Sequence, residues 1–355
     1  MNYRFRALVI LAMLFLGGSV FAQRKVDPQA LPLRALAAKQ QLLVGAASTR
    51  GKLNNPKFKA LAAREFNSLT VENELKCASV AYHKDSFMFK SPDYIINWAE
   101  ANGMKVRGHT LIWHSSVPKW LSESGWSKEQ VLAFLKEYIT TVVSRYKGRI
   151  YAWDVVNEIF EDTGKLRQNS SFWYKACGED YIEKAFIWAH EADPNVKLFI
   201  NDYNVEMFNA KSTATYELVK KLLAKGVPVH GFGMQAHMTV GGINFKSIAK
   251  NIRRFTDLGL EVHITELDVR IPGVGTPEQF KQQAENYRGF FTLAMDNPGV
   301  TSITTWGATD RDSWIAYTYK GYGAPLLFDG EYQPKPAYFA VTEVLTQGRH
   351  QPGKK

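Results

Sequence analysis

Short apolar runs alternate along the chain with longer stretches of helical periodicity. Eight runs stand out. They begin near Leu42 (LLVGAA), Ser68 (SLTVEN), Lys105 (KVRGHTLIW), Ile150 (IYAWDVVNE), Lys197 (KLFINDY), Gly231 (GFGMQAH), Glu261 (EVHITELD) and Thr301 (TSITTWG). They are near-continuous rather than alternating, which marks strands buried on both faces, as in parallel sheets. The stretches between them carry the helical period. Val131, Leu135, Tyr138, Val142 and Tyr146 form one stripe, with Leu132, Ile139 and Val143 beside it. Phe245, Ile248, Ile252 and Phe255 repeat the pattern. Asn55-Pro56, Ser91-Pro92 and Thr276-Pro277 each read as an N-cap followed by proline at the first helical position. Ser127 with Gln130, and Thr276 with Gln279, fit the capping box. Eight strand–helix units without a linker or a shift of composition predict one α/β domain, a closed (β/α)8 TIM barrel over 42–347. An open doubly wound sheet is the alternative, but no G-x-G-x-x-G follows the first strand.

The ends of the chain read differently. Arg4 and Arg6 precede an apolar run from Ala7 to Leu16, and Val20-Phe21-Ala22 offers small residues where a signal peptidase reads. Residues 1–22 are therefore expected to be a signal peptide, cleaved after Ala22, with export to the periplasm or the medium. No cysteine follows that site to anchor a lipid, and no later segment is apolar enough to span a bilayer. Residues 23–41 form a polar lead segment, and 348–355 a tail expected to be disordered.

Composition sharpens this picture in three places. The formal charge of +10 includes Arg4 and Arg6, so the mature chain keeps +8. Its Lys and Arg are scattered, with no run of five, so nucleic acid is not an expected partner. A weak attraction to acidic polysaccharide remains in keeping with it. Aromatics make up 13%, with nine Trp, a supply suited to sugar rings, whose flat C–H faces stack on π surfaces. Cys77 and Cys177 stand 100 positions apart in no C-x-x-C motif, and two buried free thiols are expected.

The chemistry lies in the polar residues that end the apolar runs, because a barrel of this kind carries its active site there while Val, Ile and Leu fill its interior. The second run ends in Glu72-Asn73, with Lys76 beyond. The third holds His109, Trp113 and His114, and the fourth ends in Asn157-Glu158. The fifth ends in Asn201-Asp202-Tyr203-Asn204, the sixth in Gln235 and His237, the seventh in Glu266 and Asp268, and the eighth in Trp306. Seven such endings make one polar pocket the economical reading. Glu158 and Glu266 stand out, because strands four and seven face each other across an eight-strand ring. Glycoside hydrolysis needs two carboxyl groups flanking one bond. His237 and Asp268 are placed to hold Glu266 ionised, Asn157 to bond a sugar 2-hydroxyl, and Trp113, Trp306 and Trp314 to offer stacking faces. Glu158 needs a more negative or less solvated surrounding, since an acid must begin protonated.

These residues resemble glycoside hydrolase family 10 endo-β-1,4-xylanases from about Leu42 to Thr346. The matching strings are FNSLTVENELK (from Phe66), GHTLIWHS (from Gly108), WDVVNE (from Trp153), NDYN (from Asn201), GFGMQAH (from Gly231), ITELDV (from Ile264) and TTWGATDRDSW (from Thr304), with PLLFDGEYQPKPAY (from Pro325) as the usual ending. The resemblance implies the (β/α)8 barrel, a retaining double displacement on xylan and xylo-oligosaccharides, and no cofactor or metal. It implies Glu158 as acid/base and Glu266 as nucleophile. It further implies that Glu72, Asn73, Lys76, His109, Trp113, Asn157, Gln235, His237, Trp306 and Trp314 line the glycone subsites, with Tyr203 on the leaving-group side. Two positions depart from the family pattern. Cys77 stands where many members carry Trp, and Ser116 where many carry Gln, so a looser hold on the second or third xylose is expected.

Three other readings compete. His109, His114, His237 and His263 raise the question of metal, but H-x4-H on one strand does not set two ligands side by side. A non-catalytic carbohydrate-binding protein would keep Trp and lose a catalytic carboxylate, and both carboxylates are present. A β-1,4-glucanase on the same barrel is the nearest alternative. Trp306 and Trp314 packed over the glycone would clash with the hydroxymethyl group that glucose has and xylose lacks. A monomer is expected, with no membrane partner after signal cleavage.

Overall fold

The computed structural model describes residues 31–349. The predicted export signal, its cleavage site and nearly all of the tail lie outside the described residues.

Eight parallel strands form the centre: β1 Leu43–Ser48, β2 Ser68–Val71, β3 Lys105–Gly108, β4 Ile150–Asn157, β5 Lys197–Asp202, β6 Gly231–Met234, β7 Glu261–Pro272 and β8 Val300–Thr305. Each pairs with the next, and β8 pairs with β1, which closes the ring. All eight begin within one residue of the starts legible in the sequence. Each is followed by a helix: α1 Pro56–Glu65, α2 Lys90–Ala101, α3 Lys128–Arg145, α4 Asp180–Ala192, α5 Ala210–Ala224, α6 Phe245–Thr256, α7 Pro277–Asp296 and α8 Pro336–Gln347. Among the described residues no helix is long and apolar enough to cross a membrane.

Local chemistry accounts for most helix starts. The Asn55 side chain accepts from the amides of Lys57 and Phe58, ahead of Pro56. Capping boxes begin α3 (Ser127 with Gln130) and α7 (Thr276 with Gln279). One start differs from the expectation. α2 begins at Lys90, so Ser91 is not its cap and Pro92 sits in its first turn, where its missing N–H leaves no bond unmade. The Ser91 hydroxyl instead accepts from Arg50. The stripe on α3 is buried as its period requires, with Val131, Leu135, Tyr138, Val142 and Val143 inside.

Two features depart from the sequence-based picture. The lead segment contains a helix, Leu33–Lys39, whose Leu33, Leu36 and Ala37 are buried and whose first amide is taken by the buried Glu65 carboxylate at 3.0 Å. It covers the barrel where β1 begins. The barrel interior is also not purely aliphatic. Arg107 on β3 lies inside, ion-paired to Asp154 on β4, with its other nitrogen 2.6 Å from His263 on β7. Three polar side chains inside a ring of apolar strands are tolerable only because they satisfy one another.

Candidate active site

At the C-terminal ends of the strands the chain leaves an open cleft of about 720 Å3. All thirteen residues expected to line it do so: Glu72, Asn73, Lys76, His109, Trp113, Asn157, Glu158, Tyr203, Gln235, His237, Glu266, Trp306 and Trp314. Asp268 stands behind them, fully buried.

Backbone geometry sets the two glutamates. Glu158 is the first residue past β4, in the left-handed region at φ 55°, with its amide tied to the Asn201 carbonyl at 2.9 Å. Asn204 and Ala236, just past β5 and β6, share that conformation. Non-glycine residues seldom adopt it, and here three strand ends turn outward together around one cleft. Glu266 lies within β7, which continues to Pro272, at a bulge between Ile264 and Leu267, with its amide tied to the Gln235 carbonyl at 2.9 Å.

A hydrogen-bond network joins the two carboxylates. Asn201 donates from its amide to Asn157 (2.8 Å) and to Glu266 Oε1 (2.9 Å). Its own oxygen accepts from Thr265 at 2.7 Å, which fixes the amide orientation. Gln235 donates to Glu158 Oε1 at 3.1 Å and Trp113 Nε1 to Glu158 Oε2 at 2.9 Å. Gly233 makes room for this network, since a Cβ there would fall 2.3 Å from the Asn201 amide oxygen.

His237 bridges Glu266 Oε2 (3.2 Å) and Asp268 Oδ2 (3.0 Å), and Trp314 Nε1 donates to the same Asp268 oxygen at 2.8 Å. Burial favours a neutral imidazole, but Asp268 and then Glu266 outweigh it and hold His237 well above its ordinary range. Each ring nitrogen faces a carboxylate, an arrangement that favours the protonated ring donating to both. Lys76 sits over the Trp113 ring, 4.7 Å from its centroid, and donates to Asn73 at 2.8 Å. Burial lowers its pKa, against the pull of Glu266, Glu72 and Glu158.

The surroundings of Glu158 are mixed. It is only half-buried and has two N–H donors. Negative character comes from Asp202, fully buried and close enough to be repelled by Glu158. Burial pushes Asp202 up to about 7, opposed by Lys211, whose ammonium is 2.8 Å away.

Several functional side chains went unseen in the sequence. Arg167 donates to the Glu158 carbonyl (2.8 Å) and the Tyr203 hydroxyl (2.9 Å), tying the acid strand end to the aromatic wall. Lys211 lies 3.3 Å from the Tyr203 ring centroid. Asp154 accepts from His109 at 2.9 Å. Glu206, Met238, Arg270 and Tyr319 also line the cleft. Asp154 sits inside a run already read as strand, so its polarity was available as a signal. Arg167 and Lys211 lie in loop and helix with no periodic mark.

Cys77 and Ser116 do not line the cleft. Cys77 is a free, fully buried thiol, raised by burial and facing the Tyr138 hydroxyl. The Ser116 hydroxyl accepts from the Ala78 amide at 3.1 Å, next to Cys77. Cys177 is likewise free and buried, its thiol pushed up to about 11. Of the four histidines that raise the question of metal, three serve different partners: His109 meets Asp154, His237 the two carboxylates, and His263 Arg107 and Thr301. The His114 Nδ1 atom is buried without a hydrogen bond.

Residues 32–344 match the sequence profile of glycosyl hydrolase family 10. The chain belongs to that family. Among family relatives, the endo-1,4-beta-xylanase B of Thermotoga neapolitana is 44% identical over 90% of this chain and 93% of its own length. The beta-1,4-xylanase of Dictyoglomus thermophilum is 39% identical, covering 96% and 99%. Xylanase 10B of Thermotoga petrophila, solved in complex with xylobiose, superposes with a TM-score of 0.87 at 44% identity, over 90% of this chain and 99% of that one.

Proposed function

We propose that this family 10 member is an endo-β-1,4-xylanase that acts by retaining double displacement, with Glu158 as acid/base and Glu266 as nucleophile. The observation that carries this is the pairing of the two carboxylates across one cleft in unlike settings. Glu266 is buried and held by an imidazolium; Glu158 is half-buried at a strand end and open to water.

The reaction follows from that geometry. Glu266 attacks the anomeric carbon while the Glu158 proton passes to the departing glycosidic oxygen. This leaves a glycosyl ester on Glu266. Water then enters on the leaving-group side, Glu158 takes its proton, and the ester bond breaks with net retention. The His237 imidazolium favours the ionised carboxylate both before attack and as it departs. Asn157, fixed by Asn201, is placed to bond the 2-hydroxyl, a contact that strengthens as the oxocarbenium character develops. Glu72, Asn73, Lys76, His109 and Gln235 offer hydrogen bonds to other hydroxyls, and Trp113, Trp306 and Trp314 wall the glycone side. Tyr203, held by Arg167 and Lys211, faces the leaving sugar. The indoles of Trp306 and Trp314 leave little room for a hydroxymethyl group, which favours xylose over glucose.

The N-terminal signal motif supports export, the scattered basic residues argue against nucleic acid, and the protein acts as a monomer without cofactor. Incubation of the mature protein with xylohexaose and cellohexaose, alongside Glu266→Ala, tests the reading. Short β-configured xylo-oligosaccharides released by the wild type alone are expected. Cleavage confined to the cello-oligosaccharide would assign a glucanase instead.

A further inference from the structure

Past Glu266, β7 runs on beyond the barrel and carries Arg270 to the rim of the same cleft. Glu266, Asp268 and Arg270 alternate on one side of the strand, so Arg270 stands about 13 Å further up the wall than the nucleophile. Its backbone is pinned on both sides. Arg270 pairs with Thr239 in the short parallel strand His237–Thr239, and its carbonyl accepts from Val240 at 2.9 Å. The next two residues pair antiparallel with Tyr322 and Gly323.

The guanidinium carbon lies over an aromatic wall, 4.1 Å from the Tyr319 ring centroid and 5.6 Å from that of Tyr322. Tyr319 packs edge-on against Trp314, so this wall continues from the one beside the nucleophile. Among the described residues Arg270 has no carboxylate partner, and its Nε is buried without a hydrogen bond. Other basic residues that line the cleft have polar partners: His237 faces two carboxylates, and Lys76 donates to Asn73 over the Trp113 ring. An arginine fixed in place, stacked and left without an anion in an acid-rich cleft is built to receive a planar anion.

We propose that Arg270 recognises the carboxylate of a uronic acid branch on the xylan backbone, and so directs the enzyme toward acidic, decorated xylan. The proposal rests on the xylanase reading and names the substrate feature that site prefers. The net positive charge of the chain acts in the same direction by raising the local concentration of an acidic polymer. Neutral arabinose branches would gain nothing from Arg270.

The test uses three substrates: a linear xylo-oligosaccharide, one bearing a single methylglucuronic acid branch, and the same branched compound with its carboxyl reduced to an alcohol. The wild type should favour the acid over its reduced form in kcat/KM by about tenfold, the scale of one charge-assisted hydrogen bond. Salt should shrink that ratio. Arg270→Gln should bring it to about one, and Arg270→Lys should restore part of it. Because the readout is a ratio, a general loss of activity or folded fraction cancels. A wild-type ratio of one, or an Arg270→Gln ratio equal to that of the wild type, would overturn the proposal while linear cleavage still upheld the xylanase reading. Failure to cleave the linear substrate would overturn both.

Discussion

The two walls of the cleft use the same residue type in opposite ways. On the β7 wall, Glu266 is 4% exposed and sits at a bulge inside the strand, with each oxygen held by a donor. One donor is charged, and behind it Asp268 and Trp314 complete a buried chain. On the β4 wall, Glu158 also has a donor for each oxygen, but both are neutral, and the residue is only half-buried, on a left-handed turn. A nucleophile must stay ionised and aimed, which rigid burial against an imidazolium provides. An acid/base must load and unload a proton each cycle, which requires water access and no cation at its oxygens. The number of hydrogen bonds does not separate the two glutamates. The charge of the donors and the reach of solvent do.

That contrast breaks most visibly when each carboxylate is removed. Glu266→Ala should lower kcat by about 10^4-fold or more, because no covalent intermediate can form. The loss should be similar for every leaving group. Glu158→Ala should cost about 10^2- to 10^4-fold on xylan, as loss of a general acid does. It should cost far less in the first step of an aryl xyloside whose leaving group needs no proton. Burst kinetics with such a substrate separate the steps. Equal sensitivity of both variants to leaving-group acidity would show that the two walls do not divide the labour in this way.

The imidazolium offers a finer probe. Asp268 is the chief group holding His237 protonated against burial. Asp268→Asn removes that charge, so the His237 pKa falls. In the wild type, the protonated ring is present below the raised pKa and is lost as pH rises through it. In the variant, the His237 ring signals followed by NMR should titrate at lower pH. At neutral pH the loss of kcat/KM should be about tenfold to a hundredfold, the scale of a charged hydrogen bond. An unchanged His237 titration would mean that Asp268 does not hold the ring protonated.

Much of this arrangement was legible before any coordinates, and the reasons are physical. Each barrel strand is buried on both faces, so its apolar run is continuous and its start is sharp. Polar residues at the strand ends are then conspicuous, and Glu72, Glu158, Gln235 and Glu266 could be read as one pocket. Closure of the barrel did the rest, because it forces eight separate endings onto one rim. What stayed hidden depends on distance in space rather than order in sequence. Arg107, Asp154 and His263 satisfy one another across three strands, and a rule that fills barrels with Val, Ile and Leu does not foresee them. Asn201 was visible as a strand end, but not as the group that ties Asn157 to Glu266. Arg167, Lys211 and Arg270 are common surface residue types whose burial or stacking emerges only when the loops fold over the cleft. The Leu33–Lys39 helix was missed because seven residues carry too little period to separate them from a polar lead.

The smallest effect concerns the carboxylate behind Glu158, and it is one of stability. Asp202 is pushed up to about 7 by burial, with Lys211 opposing and Glu158 adding to the shift. In the unfolded chain an aspartate titrates near 3.9. Between about pH 4 and pH 7 the native state therefore keeps a proton that the unfolded chain has released. Stability drawn from that proton is complete below about pH 4 and is lost as pH rises toward 7. Asp202→Asn cannot titrate, although it leaves Lys211 with Asp162 alone as an acid partner, at 3.3 Å. That offset persists across the whole range and does not affect the slope. The wild-type minus variant Tm should therefore fall steadily from pH 4 to pH 7 and level off above it. A difference that stays flat or climbs across this window would show that Asp202 is ionised throughout. The negative character behind Glu158 would then be permanent rather than set by pH, and the acid wall would be as fixed in charge as the nucleophile wall opposite it.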